Sequence, residues 1–185
     1  MKSKQLKIII ILVLCSLFSS AYSSECSWKN KCDCRYEKKI DKFDGTISQH
    51  YWCNFDEVWN FKENSIFRVL DAKEKVELAQ TVFTLSIDDN KEYYGLQILI
   101  ESETWNSLGA KTAKVLLNGK RWNVHNYSHQ TGDIGSEVQE FHFFTYNKQD
   151  FKKLLSSKLF EVKVGGNLVF SIDMSKLNFE KLEFN

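Results

Sequence analysis

Apolar and polar positions alternate with a period of two along most of this chain, most sharply from Ala113 to Val124. Asn118-Gly119 sits there between two short alternating runs, and Asn-Gly supplies the two positive-φ residues of a tight hairpin turn. A two-residue loop sets Leu117 opposite Lys120, Leu116 opposite Arg121, Val115 opposite Trp122 and Ala113 opposite Val124. Ala113, Val115, Leu117, Trp122 and Val124 then share one face, with Trp122 as its anchor in the core. Thr81 to Ile87 alternates with Phe83, Leu85 and Ile87 inward, Asp88-Asp89-Asn90 makes a turn, and Tyr93 to Glu101 places Tyr94, Leu96, Ile98 and Ile100 on one face. Val138 to Tyr146 has Phe141 and Phe143 on one side and His142, Phe144 and Tyr146 on the other, which predicts a central strand covered on both sides.

The last two runs allow a test of register. Leu159 to Val164 directs Phe160, Val162 and Val164 one way, and Leu168, Phe170 and Ile172 alternate after it. A two-residue Gly165-Gly166 loop would bring the second apolar set onto the charged face of Glu161 and Lys163. A three-residue loop including Asn167 instead pairs Val164 with Leu168, Val162 with Phe170 and Phe160 with Ile172, and is the expectation here. Just before this hairpin, Asn147 can cap a helix from Lys148 to about Ser157, whose Phe151, Leu154 and Leu155 form an apolar stripe. Near the start, Asp44-Gly45 is a turn between the charged approach Tyr36 to Asp44 and a strand from Thr46 to about Cys53. Phe55, Val58, Trp59 and Phe61 follow no clean period, and Ser65 to Leu70 reads as a short strand. Asp71 to Glu74 either caps a helix through Gln80 or turns between strands.

These elements predict an all-β fold, an antiparallel β-sandwich with one packed helix at about 148–157, because nothing suggests parallel βαβ units. Two polar loops stand out, Glu101 to Gly109 with Trp105, and His125 to Glu137 with Gly132 and Gly135. Loops on a sheet scaffold are where function concentrates.

Composition adds the compartment. Lys2, Lys4 and Lys7 precede the apolar run Ile8 to Phe18 and then small residues, the pattern of a signal peptide over residues 1–23 that is removed after Ser23 or, second, near Ala21. The apolar run is too short to span a bilayer, so no membrane span is expected after removal. About 160 residues remain, one domain's worth. They divide into a cysteine-rich leader with the first strand, 24–54, and a single sandwich domain over 36–185. The three lysines leave with the signal, so the formal charge of +1 becomes slightly negative, which points to neither nucleic acid nor anionic membranes as partners.

Cys26, Cys32, Cys34 and Cys53 crowd one end of the exported chain, an even count that reads as disulfides. A Cys32-Cys34 bond would close too small a ring. Two connectivities remain, Cys26-Cys32 with Cys34-Cys53, or Cys26-Cys34 with Cys32-Cys53. The C-x5-C-x-C-x18-C spacing lacks the paired C-x2-C knuckles of a zinc site.

Lys39-Ile40-Asp41-Lys42-Phe43-Asp44-Gly45, followed by β-rich sequence with a lone late helix, resembles a group of exported bacterial proteins that open with a K-x-D-x-F-x-G motif. The resemblance runs at the level of layout over residues 36 to 173 and implies an exported β-rich protein, without implying an activity or carrying over any site residue.

Candidate chemistry is sparse. His125 and His129, joined by Asp133 or His142, would suit a metal only if an i,i+4 pair stood on a helix, and this segment follows a strand. Ser136 in Gly135-Ser136-Glu137 is no nucleophile elbow, and Glu101 with Glu103 reads as a solvated strand end. No cofactor motif is present, so none is expected. Trp105, Tyr127 and His129 lie in the two loops without a core role, which makes them the candidate binding residues for a protein or glycan partner. Asn126-Tyr127-Ser128 also matches an N-glycosylation sequon. The expectation is an exported, non-enzymatic binding or interaction domain of the bacterial envelope, periplasmic or extracellular. The alternative is a small extracytoplasmic hydrolase or metal-dependent enzyme using His125, His129 and the loop acids.

Overall fold

A computed structural model describes residues 32–43, 45–56, 66–70, 76–88, 91–107, 109–124, 126–165 and 168–184. The expected signal segment 1–23, Cys26, the Val58 to Phe61 stretch, Asp71 to Glu74 and His125 lie outside the described residues.

Eleven described strands form two antiparallel sheets. Six make one sheet in the order β1 (Cys32–Ile40), β2 (Ile47–Asp56), β4 (Val76–Asp88), β5 (Lys91–Ser102), β9 (Glu137–Tyr146), β8 (Asn126–Ile134). Five make the other, in the order β3 (Phe67–Leu70), β11 (Leu168–Asp173), β10 (Leu159–Val164), β6 (Ala113–Leu117), β7 (Lys120–Trp122). One helix, α1 (Lys148–Leu155), joins β9 to β10. The predicted all-β sandwich with one packed helix is the fold observed.

The sheets share a core because each presents one apolar face. Tyr51, Phe83, Leu96, Ile98 and Phe144 of the first sheet and Phe67, Phe160, Val162, Phe170 and Ile172 of the second are all at most 1% exposed. Phe55 stacks on Phe67, and Phe144 meets Phe160 edge-on. Aromatic pairs in such geometry add roughly 0.5–1.5 kcal/mol each beyond the area they bury.

Both hairpin registers follow the turn chemistry. Leu117 faces Lys120 and Val115 faces Trp122 across Asn118 (φ 52°) and Gly119 (φ 75°), the positive-φ pair that matches strand twist. Val164 faces Leu168, Val162 faces Phe170 and Phe160 faces Ile172, as a three-residue loop requires. Asn147 Oδ1 accepts the Asp150 N–H at 2.8 Å and starts α1, which buries Phe151 and Leu154.

Several expectations are corrected. The chain over 32–40 is an edge strand, β1, rather than a charged approach. Its alternation turns Cys34 inward while Arg35 and Lys39 stay exposed, so its charge masks its period. Residues 76–80 belong to β4, not to a helix. A β-bulge between Val76 and Leu78 brings Val76 and Ala79 to the same buried side, and that three-residue spacing imitates a helical stripe. Within the expected loop 125–137, Asn126–Ile134 form the edge strand β8, followed by a turn at Gly135 (φ 64°). Phe141 and Phe143 are half-exposed on the outer face of β9, which the second sheet does not cover. Trp122 is half-buried on the edge strand β7, stacked on Tyr146 at 5.2 Å, rather than sunk in the core.

The tail closes one end. Leu177 and Leu182 are buried, and Phe179 packs edge-on against Tyr51 and Phe83. The inward amide of Gln49 would be costly in that setting, but it accepts from Glu183 N at 2.8 Å and donates to Glu183 O at 2.9 Å. Cys34 and Cys53 sit directly opposite across β1 and β2 and are disulfide-bonded, with Cα atoms 4.1 Å apart. That bond excludes Cys26-Cys34 with Cys32-Cys53, leaving Cys26-Cys32 as the matching expectation.

Candidate functional site

Strand β9 carries an anomaly on its inner face. Val138, Glu140, His142, Phe144 and Tyr146 alternate inward, and Glu140 and His142 are each 0% exposed. The register of β8 sets His129 opposite His142, Tyr127 opposite Phe144 and Thr131 opposite Glu140, so Tyr127 and His129 also turn towards this face. The loop after β5 then folds across it and inserts Asn106 and Ser107, 5% and 2% exposed.

Every polar group in this cluster finds a partner, as burial demands. Glu140 Oε2 accepts from Asn106 N at 2.8 Å, and Oε1 accepts from Ser107 N at 2.7 Å and Ser107 Oγ at 2.5 Å. Asn106 Nδ2 donates to Ser102 Oγ at 3.0 Å, whose hydroxyl donates to Thr104 O at 2.8 Å. Ser107 Oγ also lies 3.3 Å from His129 Nε2 and 3.4 Å from His142 Nε2, and Tyr127 OH lies 3.0 Å from His142 Nδ1. The two imidazoles stack with centroids 4.9 Å apart, and Phe170 of the second sheet backs His142.

Electrostatics fixes the direction of the chain of bonds. Burial, and then the neighbouring His129, lower the His142 pKa to about 3, so its ring is neutral. Burial, and then Glu140, push the Tyr127 phenol well above its ordinary range, so it keeps its proton. A neutral imidazole has one donor and one acceptor. Tyr127 OH therefore donates to His142 Nδ1, His142 Nε2–H donates to Ser107 Oγ, and the Ser107 hydroxyl donates to Glu140.

A serine, two histidines and a glutamate invite comparison with a nucleophilic triad, yet the order of bonds differs. In a triad the imidazole takes the serine proton and the acid orients the imidazole, while backbone N–H groups face the developing oxyanion. Here the acid takes the serine hydroxyl directly, and the Asn106 and Ser107 N–H groups are engaged by that same acid. Ser107 is also closed to solvent. This arrangement holds Asn106 and Ser107 onto the sheet and presents no attacking atom.

Of the candidate binding residues, Tyr127 and His129 come together in this cluster, with the His129 side chain 6% exposed, and Trp105 is half-buried in the loop beside it in sequence. They do not form an exposed aromatic platform. Asp133 is exposed towards the end of β8, and among the described residues no group of three or more His, Cys, Asp or Glu is placed to hold a metal ion. Ser107 and Glu140 were missed in the sequence. Two polar residues at alternate positions, Glu140 and His142, on an otherwise apolar strand face are the signal that could have found them.

The outer face of the six-stranded sheet is the other feature. Register aligns Trp52, Val82, Gln97, Phe143 and Ser128 in one cross-strand row, and Asn54, Gln80, Leu99, Phe141 and Gln130 in the next. Trp52, Phe141 and Phe143 are half-exposed, and Val82 and Leu99 fill the space between them. The Phe141 and Phe143 rings lie within 8° of parallel, Arg35 stands 5.7 Å over the Trp52 ring, and the buried Trp52 Nε1 has no hydrogen-bond partner among the described residues. Amide side chains border the apolar patch on several strands.

Comparison with protein-family models, with characterised proteins and with solved structures finds no match for this chain. Among the described residues no helix is long and apolar enough to cross a membrane.

Proposed function

We propose that this protein is an exported, non-enzymatic binding domain of the bacterial cell envelope, periplasmic or extracellular, that engages a protein or glycan partner. The observation that carries the reading is the outer face of the six-stranded sheet, where half-exposed Trp52, Phe141 and Phe143 stand among Asn54, Gln80, Gln97 and Gln130. Aromatic rings supply contact area at low entropic cost, and amides supply adaptable hydrogen bonds. The basic-then-apolar start of the chain supports export, and the Cys34-Cys53 bond is compatible with an oxidising compartment. The resemblance to exported proteins opening with K-x-D-x-F-x-G agrees with that placement.

The test is a pull-down from envelope extract with the oxidised protein, repeated with Phe141→Ala/Phe143→Ala. The double variant should lose at least tenfold in affinity, about 1.4 kcal/mol, while its urea midpoint stays near wild type. Normal capture by that variant would move the partner surface elsewhere.

The second reading is a hydrolase built on Ser107, His129, His142 and Glu140, against which the bond order and the burial of Ser107 both stand. Ester and amide substrate panels with wild type and Ser107→Ala separate the two. The binding reading expects no turnover above the variant's, and a Ser107-dependent rate would replace it with the hydrolase.

A further inference from the structure

Away from both the buried cluster and the outer face, a cleft of about 350 Å³ opens between β7 and the C-terminal end of α1. It is lined by Leu117, Asn118, Lys120, Arg121, Trp122, Lys153, Ser156 and Ser157. The lining contains no acid, and Lys120 and Lys153 bring two cations to it, while Arg121 pairs with Leu116 on the opposite face of the hairpin from Trp122. Lys120, Arg121 and Lys153 are exposed, and among the described residues none of them makes an ion pair. Elsewhere on this surface lysines find acids, as Lys38 does with Glu183, Lys148 with Glu92 and Lys176 with Asp173. The cleft is therefore a local positive field on a chain whose formal charge is close to zero.

A helix C-terminus would ordinarily oppose an anion, because its free carbonyls carry the negative end of the dipole. Three of those carbonyls are occupied here. Lys152 O accepts from Ser156 N, Lys153 O from Ser156 Oγ, and Leu154 O from both Ser157 N and Ser157 Oγ. The wall is also held in place from the hairpin, since Asn118 Oδ1 accepts from Lys158 N at 2.8 Å and Leu159 N at 3.0 Å. That use of the oxygen leaves the Asn118 amide NH2 as a donor on the cleft rim. Trp122 stacks on Tyr146, and Lys153 Nζ stands over the indole ring, 6.0 Å from its centroid, so an ammonium and an aromatic ring border the same cleft.

We infer that this cleft binds a small sugar carrying a phosphate or sulfate ester. The lysines match the oxyanion by charge, the half-buried indole offers an apolar border against which a sugar ring packs, and Asn118, Ser156 and Ser157 border it with groups that suit hydroxyls. The volume lies at the lower end of the range for small-molecule sites, which suits one or two sugar rings. This site is independent of the partner surface on the outer sheet face.

The test titrates the full, oxidised chain with glucose 6-phosphate, glucose 6-sulfate, inorganic phosphate and glucose, following the Trp122 indole N–H resonance. At least one ester should give saturable shifts that weaken with added salt, and inorganic phosphate should bind several-fold more weakly. Glucose should give no saturable shift. Which ester is preferred identifies the oxyanion. Lys120→Glu/Lys153→Glu should weaken ester binding at least tenfold, with an unchanged urea midpoint and partner capture. The inference is overturned if neither ester shifts Trp122 saturably up to about 20 mM, where a Kd near 1 mM would be saturated. It is equally overturned if the charge-reversed variant binds like wild type, if glucose binds as well as the esters, or if inorganic phosphate does.

Discussion

Glu140→Gln exchanges one oxygen for an NH2 at the centre of the buried cluster, and its cost can be worked from the bonds it disturbs. In the native protein the two carboxyl oxygens receive three donors, Asn106 N at 2.8 Å, Ser107 N at 2.7 Å and Ser107 Oγ at 2.5 Å. A glutamine keeps one acceptor and turns its NH2 towards a backbone N–H, so one buried amide loses its partner and a donor faces a donor. An orphaned buried N–H costs about 1–3 kcal/mol, and the weaker amide acceptor removes roughly another 1 kcal/mol. The expected loss is about 2–4 kcal/mol, or roughly 5–15 °C in Tm for a domain of this size. Urea unfolding measures the total, and hydrogen exchange at the Asn106 and Ser107 amides locates it. Both amides should lose protection in the variant, more than the neighbouring strand β5 does. A variant within about 0.5 kcal/mol of wild type, the scatter of an ordinary surface substitution, with both amides still protected, would refute the role of Glu140 as the clamp of this loop.

Acid should act through His142, whose ring is neutral when folded but takes a proton near pH 6.5 when unfolded. That contribution is complete above about pH 6.5 and is lost as pH falls towards 3, at up to roughly 1.4 kcal/mol per pH unit. His142→Asn should start less stable at pH 7.5 yet lose less between pH 6.5 and 4, and equal acid losses in urea melts would contradict this. Removing the cross-link with Cys34→Ala/Cys53→Ala should cost about 2–4 kcal/mol, given a sequence separation of 19 residues. Reduction of the wild type should reproduce most of that loss in the same urea titration. Phe170→Ala, at 0% exposure, should cost about 3–5 kcal/mol, whereas half-buried Trp122→Ala should cost about 2 kcal/mol. The order of the two urea midpoints checks the edge placement of Trp122.

Where local chemistry carries the information, the structure is legible in neighbouring residues alone. Asn118-Gly119 fixed the β6–β7 register because two consecutive positive-φ residues fit few turns. The apolar parity of Val164 and Leu168 fixed a three-residue loop, since a slip by one residue would turn a whole strand inside out. Asn147 and the Phe151–Leu154 spacing fixed the helix. The elements that escaped were edge strands, β1 and β8, whose polar residues lie on an open face or inside a polar cluster and so hide the period of two. The bulge in β4 misled for a related reason, because an inserted residue shifts the alternation that strand reading depends on.

Which distant residues meet depends instead on how the sheets pack. Ser107, Glu140, His129 and His142 come from a loop and two strands, and no single element holds them all. Packing between the sheets removes water from them and so obliges them to satisfy one another. The same is true of the outer rows, since Trp52 on β2 and Phe143 on β9 fall into line only through the order in which strands pair. The cationic cleft exists only because the chain returns α1 beside β7. Strand order and the approach of distant segments are set by long-range burial, which no window of sequence contains.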